Sequence, residues 1–300
     1  MEKHVGSIQD TDLRLLRVFQ AVVRHGGFAA ANEALGLSPA TISNHMSALE
    51  SRMGVRLCHR GRGGFRLTQQ GKQVHSAMLD LFGAIENFRG EVGAAKGDIV
   101  GTVEFGAVDA IYTNRSLRLE KAIGEFAKIA PRAKLNVHIA SPQELLQGLL
   151  TGKLHAILTP TQHLPTALDV TPVFQELQNL YCGKNHALFT VAEKQITPQM
   201  LSRYPFVGRT YEPKEPICGI SFNWTSEISH MESAVLMILS GKYIGFLPDH
   251  YADEFVKSGQ IRAIGGETAK FFDNFSIALP KKHPNVAAKH FTEFVKENIF

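Results

Sequence analysis

FAAANEALGLSPATISNHMSALESRM, residues 28–53, decides how this chain is read. Phe28 to Leu35 has the make-up of a short helix, and Gly36 can stop it because glycine takes the left-handed conformation that ends helices. Ser38-Pro39 then starts a second helix, with a side-chain oxygen to cap free N–H groups and a proline where no N–H is needed. Ile42, Met46, Leu49 and Met53 recur at steps of four, three and four, which is one apolar face. The opposite face carries Ala40, Thr41, Ser43, Asn44 and Ser47, all small or polar. Two short helices joined by a glycine turn predict a helix-turn-helix. Small side chains suit a helix that must enter a major groove only ~12 Å wide.

Downstream, Arg52, Arg56, Arg60, Arg62, Arg66 and Lys72 follow, and no acid occurs between Glu50 and Asp80. Gly61-Arg62-Gly63-Gly64 separates Leu57-Cys58-His59-Arg60 from Phe65-Arg66-Leu67, which predicts a hairpin with a glycine-rich tip. Such a wing places Arg62 in a minor groove while its neighbours meet phosphates. The plainer reading is a solvated basic face; the helix pair immediately before it favours DNA.

From here the chain resembles the LysR-type transcriptional regulators. The matching residues are Leu37-Ser38, Ile42-Ser43, Leu49-Glu50, Gly54, Leu57, Arg60 and Leu67-Thr68 with Gly71. Cys58 stands where that family usually has Phe, and Asn44-His45 where longer polar or basic residues are common. The resemblance implies that Ser38, Pro39, Ala40, Thr41, Ser43 and Asn44 face bases, with Pro39 beside a thymine methyl and Asn44 able to pair with adenine. Arg52, Arg60, Arg62 and Arg66 would hold phosphates or the minor groove.

The bulk numbers agree. Hydrophobic content of 44% and charged content of 20% are those of a soluble globular chain, and 300 residues suffice for two or three folding units. Residues 1–96 carry 12 Lys and Arg against 8 Asp and Glu, while the rest is balanced at 20 against 20. The whole excess therefore lies where a polyanion is expected. Three cysteines without metal-ligand spacing fit a reduced, cytoplasmic compartment. No signal peptide, membrane span, metal site or cofactor is expected.

Leu13, Leu16, Phe19, Val22 and Val23 predict an amphipathic first helix. From Thr68 about twenty-five residues read as a helix, and Val74, Met78, Leu81, Ile85, Phe88 and Val92 form a heptad seam along it. Because both flanking units read as complete without this helix, the seam is expected to pair with a partner copy. Short apolar runs alternating with helices follow: strands at Ile99–Phe105, Leu135–Ile139 and Ala156–Leu158, helices at Leu117–Ile129 and Glu144–Leu150. This predicts an α/β unit with a largely parallel sheet. Leu180-Tyr181-Cys182, Phe206-Val207, a helix at Ser229–Leu239 and Ile244–Pro248 belong to a second unit.

The expected organisation is thus a winged helix-turn-helix at residues 8–67 and a linker helix and hinge at 68–95. A two-lobe effector domain follows at 96–300, with lobe I at about 98–165 and 266–300 and lobe II at about 166–265. Two such lobes resemble the periplasmic-binding-protein-like domain of LysR-type regulators. The resemblance implies double-stranded DNA, a small-molecule effector, often a carboxylate, and a second copy of the chain as partners. It implies dimers through the linker helix, usually assembled into tetramers, and admits RNA polymerase as a further partner. No membrane is involved.

In open α/β sheets ligands bind at the carboxyl ends of strands. That rule selects Asp109, Thr113, Asn114, Ser141 and Thr159 from one lobe and Arg209, Tyr211 and Pro248 from the other. Ser141 reads equally as a helix cap, Arg209 as a partner for a nearby acid, and Asp109 as a residue unfavourable to a carboxylate.

Three rival functions compete with this reading. No nucleophile elbow, phosphate-binding loop, dinucleotide fingerprint or clustered metal ligands points to an enzyme. A transport protein of this fold would carry an export signal and no basic helix-turn-helix. A redox sensor would work through Cys182 and Cys218, both in the second lobe.

Overall fold

The computed structural model describes residues 8–59, 64–96, 98–162, 164–212 and 214–299. Its amino-terminal unit packs α1 (Asp10–Arg24), α2 (Phe28–Leu35) and α3 (Pro39–Met53) around Phe19, Val22, Ala31, Ile42, Met46 and Leu49, all fully buried. Gly36 holds φ +63° between α2 and α3, a value that strains any residue with a Cβ. Ser38 Oγ accepts the Thr41 N–H at 3.1 Å and so caps α3. β1 (Cys58–His59) and β2 (Arg66–Leu67) pair antiparallel, with Cys58 opposite Leu67 and His59 opposite Arg66. Arg60 and Arg62, at the expected wing tip, lie outside the described residues.

Asp12 clamps α1 to α3. Its buried carboxylate accepts from Arg52 Nε, from Arg52 Nη2 at 2.8 Å and from the Gln9 N–H at 2.9 Å. Arg52 therefore binds Asp12 with part of its guanidinium, and its side chain remains 40% exposed. The Arg52 hydrogen bond, helped by Gln9, holds the Asp12 carboxyl at about 2, below the ordinary aspartate value. A depressed folded-state pKa stabilises the fold above the unfolded value, and that stabilisation is lost as pH falls from about 4 to about 2. Chemical denaturation across that window is expected to show a loss for the wild type that Asp12→Asn lacks. Parallel pH curves for the two proteins would refute the clamp.

α4 (Gln69–Ala94) is one 26-residue helix, capped by Thr68 Oγ1, which accepts the Gly71 N–H at 2.8 Å. Its apolar seam divides. Met78 is buried in the amino-terminal core with Val74 and Leu81 packed against the same cluster, whereas Phe88 and Val92 are 70% and 41% exposed. The first half of the seam thus completes its own domain, which corrects the expectation that both flanking units are whole without it. A second stripe, Gly83, Gly90 and Gly93, faces the carboxy-terminal unit. A Cβ there would come within 2.9 Å of His283, 2.9 Å of Val286 and 2.7 Å of Val100, so small residues let the helix lie close.

The carboxy-terminal unit runs β3 (Val100–Ala107), α5 (Leu119–Ile129), β4 (Arg132–Ile139), α6 (Pro142–Leu150), β5 (Ala156–Pro160) and β6 (Leu168–Gly183). It continues with α7 (Pro198–Leu201), β7 (Pro205–Arg209), β8 (Asn223–Ile228), α8 (Met231–Leu239), β9 (Ile244–Pro248), α9 (Asp249–Lys257), β10 (Ile261–Ala263), β11 (Lys270–Pro280) and α10 (Val286–Glu297). The strand order is β4-β3-β5-β11-β6-β9-β7-β8, with β10 also on β6. The sheet is mixed. β3 pairs in parallel with β4 and β5, and β7 with β8 and β9, but β6 and β11 run antiparallel to every neighbour. These two long strands join the lobes, while the three lobe I strands expected from the sequence, β3, β4 and β5, pair in parallel as expected.

Lobe I packs around Phe105, Phe126, Ile157 and Phe291. In lobe II strand alternation sends Phe206 and Phe246 into one cluster and Val207 and Leu247 into another, so both faces of its sheet are covered.

Candidate DNA-binding face and effector cleft

On α3, Ser38, Pro39, Ala40 and Asn44 are exposed, and Thr41 and Ser43 are half-buried beside them. Ile42, Met46 and Leu49 hold the opposite face in the core, so the small polar face can only point outward. Arg66 is exposed on β2, one strand from His59. Arg56 is exposed too, with its Nε donating to the Cys58 carbonyl at 3.2 Å.

The cleft is built from strand ends. In register, Ala107 lies beside Ile139 and beside Leu158. The next residues outward are therefore Val108-Asp109, Ala140-Ser141 and Thr159, all on one edge of the lobe I sheet. Ser141 is buried and forms a capping box: its Oγ caps the Glu144 N–H at 3.4 Å, and Glu144 Oε2 accepts the Ser141 N–H at 3.0 Å. Thr159 is 1% exposed, and its hydroxyl has no partner among the described residues.

Among the described residues, side-chain hydrogen bonds bridge the lobes at two points. Asp109 accepts the N–H of Met231, the first residue of α8, and lies 3.7 Å from His230 Nδ1. A carboxylate at a helix N-terminus is favoured by the orphan N–H groups and the helix dipole. Burial nonetheless pushes Asp109 up from the ordinary aspartate value, while the Met231 N–H and His230 pull it back. The second bridge is Thr113 Oγ1 to His250 Nδ1 at 2.7 Å. The Thr113 hydroxyl also lies 2.8 Å from the Ala110 carbonyl, and the direction of its bond with His250 follows the imidazole tautomer. His250 Nε2 then meets Glu176 Oε1 at 2.8 Å.

Glu176 opens a buried polar chain. Its other oxygen accepts Gln178 Nε2 at 2.7 Å, and Gln178 Oε1 accepts Arg209 Nη2. Arg209 is 5% exposed and its Nη1 lies 3.1 Å from Asp273 and 3.2 Å from Glu212. Tyr211 lies 5.9 Å under the guanidinium. Burial pushes Glu212 and Asp273 up, and Arg209 opposes this. Arg209 Nε has no partner among the described residues. Glu212 and Asp273 thus pair directly with Arg209, Glu176 reaches it through Gln178, and Asp109 and Glu176 lie beside His230 and His250.

Asn114 is buried with Oδ1 accepting the Ser116 N–H at 2.9 Å, which locks the turn. Pro248 is buried at the start of α9, where it positions His250. Sequence reading missed Glu176, Gln178, Glu212, His230, His250 and Asp273. Cys182 is fully buried and its thiol is pushed up to about 11 by that burial; Cys218 is exposed and also pushed up. Neither is an activated thiol.

Comparison with known proteins agrees with this division. The bacterial regulatory helix-turn-helix protein, lysR family, matches residues 13–72, and the LysR substrate binding domain matches residues 96–299. The chain is 34% identical over 294 residues to the HTH-type transcriptional activator BauR of Pseudomonas aeruginosa, covering 97% of this chain and 96% of that one. A full-length OxyR variant from Pseudomonas aeruginosa superposes with a TM-score of 0.66 at 20% identity, covering 98% of both chains. LysG from Corynebacterium glutamicum with bound effector Arg superposes with a TM-score of 0.59 at 16% identity, covering 95% of this chain and 97% of that one. With a helix-turn-helix at one end and an effector-binding domain across the rest, the chain belongs to the LysR family of DNA-binding transcriptional regulators.

Proposed function

We propose that the protein binds its operator through the small polar face of α3 and the basic hairpin behind it, and that an effector entering between the lobes resets that binding. The observation that carries the second half is the direct bridging of the lobes by Asp109 to α8 and by Thr113 to His250 and Glu176. An effector at the strand ends replaces or reinforces those bridges and so shifts the population of lobe arrangements. The exposed Phe88 and Val92 end of α4 is the surface offered to a second copy; pairing there sets two α3 helices against two half-sites.

Base readout is assigned to Pro39, Ala40, Ser43 and Asn44, with Ser38 and Thr41 fixing the helix start, and phosphate contact to Arg66 with Arg60 and Arg62. Asn44→Ala is expected to relax sequence preference. Arg66→Ala is expected to weaken native and scrambled duplexes about equally and to lower the salt slope by about 1. Anisotropy titrations with the DNA upstream of its own gene, across a salt series, separate the two. An unchanged preference in Asn44→Ala removes it from the readout set.

The effector carries a cationic group. Four carboxylates already engage Arg209, His230 and His250 and leave little for a bare carboxylate to bind, whereas a protonated amine is held between Asp109 and the Glu176 group. The bound Arg of the LysG structure is an effector of this chemistry. Calorimetric titration of the full-length protein with L-arginine, 1,5-diaminopentane and glutarate is expected to rank both cations above the dianion by tenfold or more. Tighter binding of glutarate would return the reading to a carboxylate. The raised thiols disfavour redox sensing through Cys182 and Cys218.

A further inference from the structure

A cavity of about 840 Å³ lies between the amino-terminal unit and lobe I, walled by α1, α4 and the segments around Gly152 and Lys281. That is the size of a small-molecule site. Two kinds of surface meet in it. Leu79 and Phe82 of α4, with Leu149 and Leu154 of lobe I, make an apolar wall, and Arg17 and Arg24 of α1 stand on the polar side.

The cations of that wall are unevenly matched. Arg89 is paired with Glu86 at 2.9 Å, Lys282 lies 3.8 Å from Asp80, and Lys281 donates to the Thr166 carbonyl at 2.6 Å. Arg17 has no carboxylate partner among the described residues. Arg24 donates to the Gly152 carbonyl, but its Nε is buried without a partner among the described residues. The carboxylate that acts on Arg24, Glu104, is already bound by His138 at 2.6 Å and Asn136 at 2.8 Å. Burial accordingly pushes Arg24 down from its ordinary value. A guanidinium desolvated without its own counter-ion is a standing cost that an added anion removes.

Nor is the cavity the seat of a partner helix. At 3.6 residues per turn, Leu79, Phe82, Gly83 and Glu86 centre about 140° around α4 from Leu81, Ile85, Phe88 and Val92. Ile85 belongs to both faces, so a second copy on the seam meets one edge of the cavity and leaves the Arg17 and Arg24 side as it is.

We propose that this cavity is a second ligand site, distinct from the cleft between the lobes, which takes a small organic anion with an apolar body. Arg24 and Arg17 hold the charge, and Leu79 and Phe82 cover the body. The ligand touches α1 and lobe I together, so its occupancy ties the DNA-binding unit to the effector domain. The site stands whether or not the effector of the cleft is cationic.

Calorimetric titration of full-length protein with phenylacetate, phenylacetamide and phenethylammonium tests it. Phenylacetate is expected to bind at least tenfold more tightly than the other two, and Arg24→Gln to weaken it at least tenfold. Ser76→Glu sets a negative charge at an exposed point of the wall and is expected to weaken it likewise, which keeps the test open should Arg24→Gln not fold. Hydrogen exchange with phenylacetate is expected to protect the end of α1 and residues 149–154. Equal or absent binding of the three compounds, full binding by both variants, or protection confined to residues 109–114 and 141–144 overturns the proposal.

Discussion

Replacing Arg209 with methionine is expected to destabilise the effector domain by about 3–5 kcal/mol and to abolish its response to any effector. The guanidinium is 5% exposed, touches Glu212 and Asp273, and reaches Glu176 through Gln178. Methionine fills much of the volume but leaves Glu212 and Asp273 buried without that charge. The sign with pH follows. Burial already pushes Glu212 and Asp273 up, and losing the attraction of Arg209 pushes them higher. Their folded-state values then stand far above the unfolded ones, so the penalty is largest at neutral pH and shrinks as the carboxyls take up protons. Urea unfolding of variant and wild type at pH 8 and pH 5 is expected to show the gap narrowing with acid. A gap of under 1 kcal/mol at pH 8 would mean that the network holds the lobes little. Arg209→Lys, which restores a charge without the planar fork, is expected to recover only part of the loss.

That network also marks where sequence reading stopped. The turn from α2 to α3 is written in local chemistry: Leu35 is followed by a glycine stop and a serine cap within three residues, and nothing distant is needed to interpret them. The strand ends were equally legible, because Asp109, Ser141 and Thr159 each follow an apolar run. What they meet was not. Asp109 finds Met231 and Thr113 finds His250, 122 and 137 residues further along, pairings that arise only when two lobes face each other. β6 was seen only at Leu180–Cys182, since Gln175-Glu176-Leu177-Gln178 lacks an apolar alternation. Its polar side chains are buried because they satisfy one another, a condition that periodicity does not register. Arg52 shows the converse. A basic residue in a basic run reads as a phosphate contact, and no local pattern shows that it also holds Asp12, forty residues upstream.

Gly71→Ala is expected to remove operator binding altogether while leaving the effector domain folded. Gly71 sits in the first turn of α4, where its N–H is capped by Thr68, and a Cβ there would stand 1.9 Å from the carbonyl oxygen of Leu57. That oxygen cannot move freely, because it accepts the Thr68 N–H at 3.0 Å just before β1. Relief requires the helix to back away from β1, which breaks the Thr68 cap and withdraws Met78 from the amino-terminal core. Overpacking against fixed backbone of this kind costs about 1–3 kcal/mol, occasionally more. The Leu67-Thr68 and Gly71 spacing is thus a packing rule for seating the linker helix under the hairpin. Hydrogen exchange on the full-length variant is expected to show α1 to α3 opening readily while β3, β5 and β11 stay protected. Retained protection in α1 to α3 together with normal operator affinity would show that the backbone absorbs the methyl and that this glycine is dispensable.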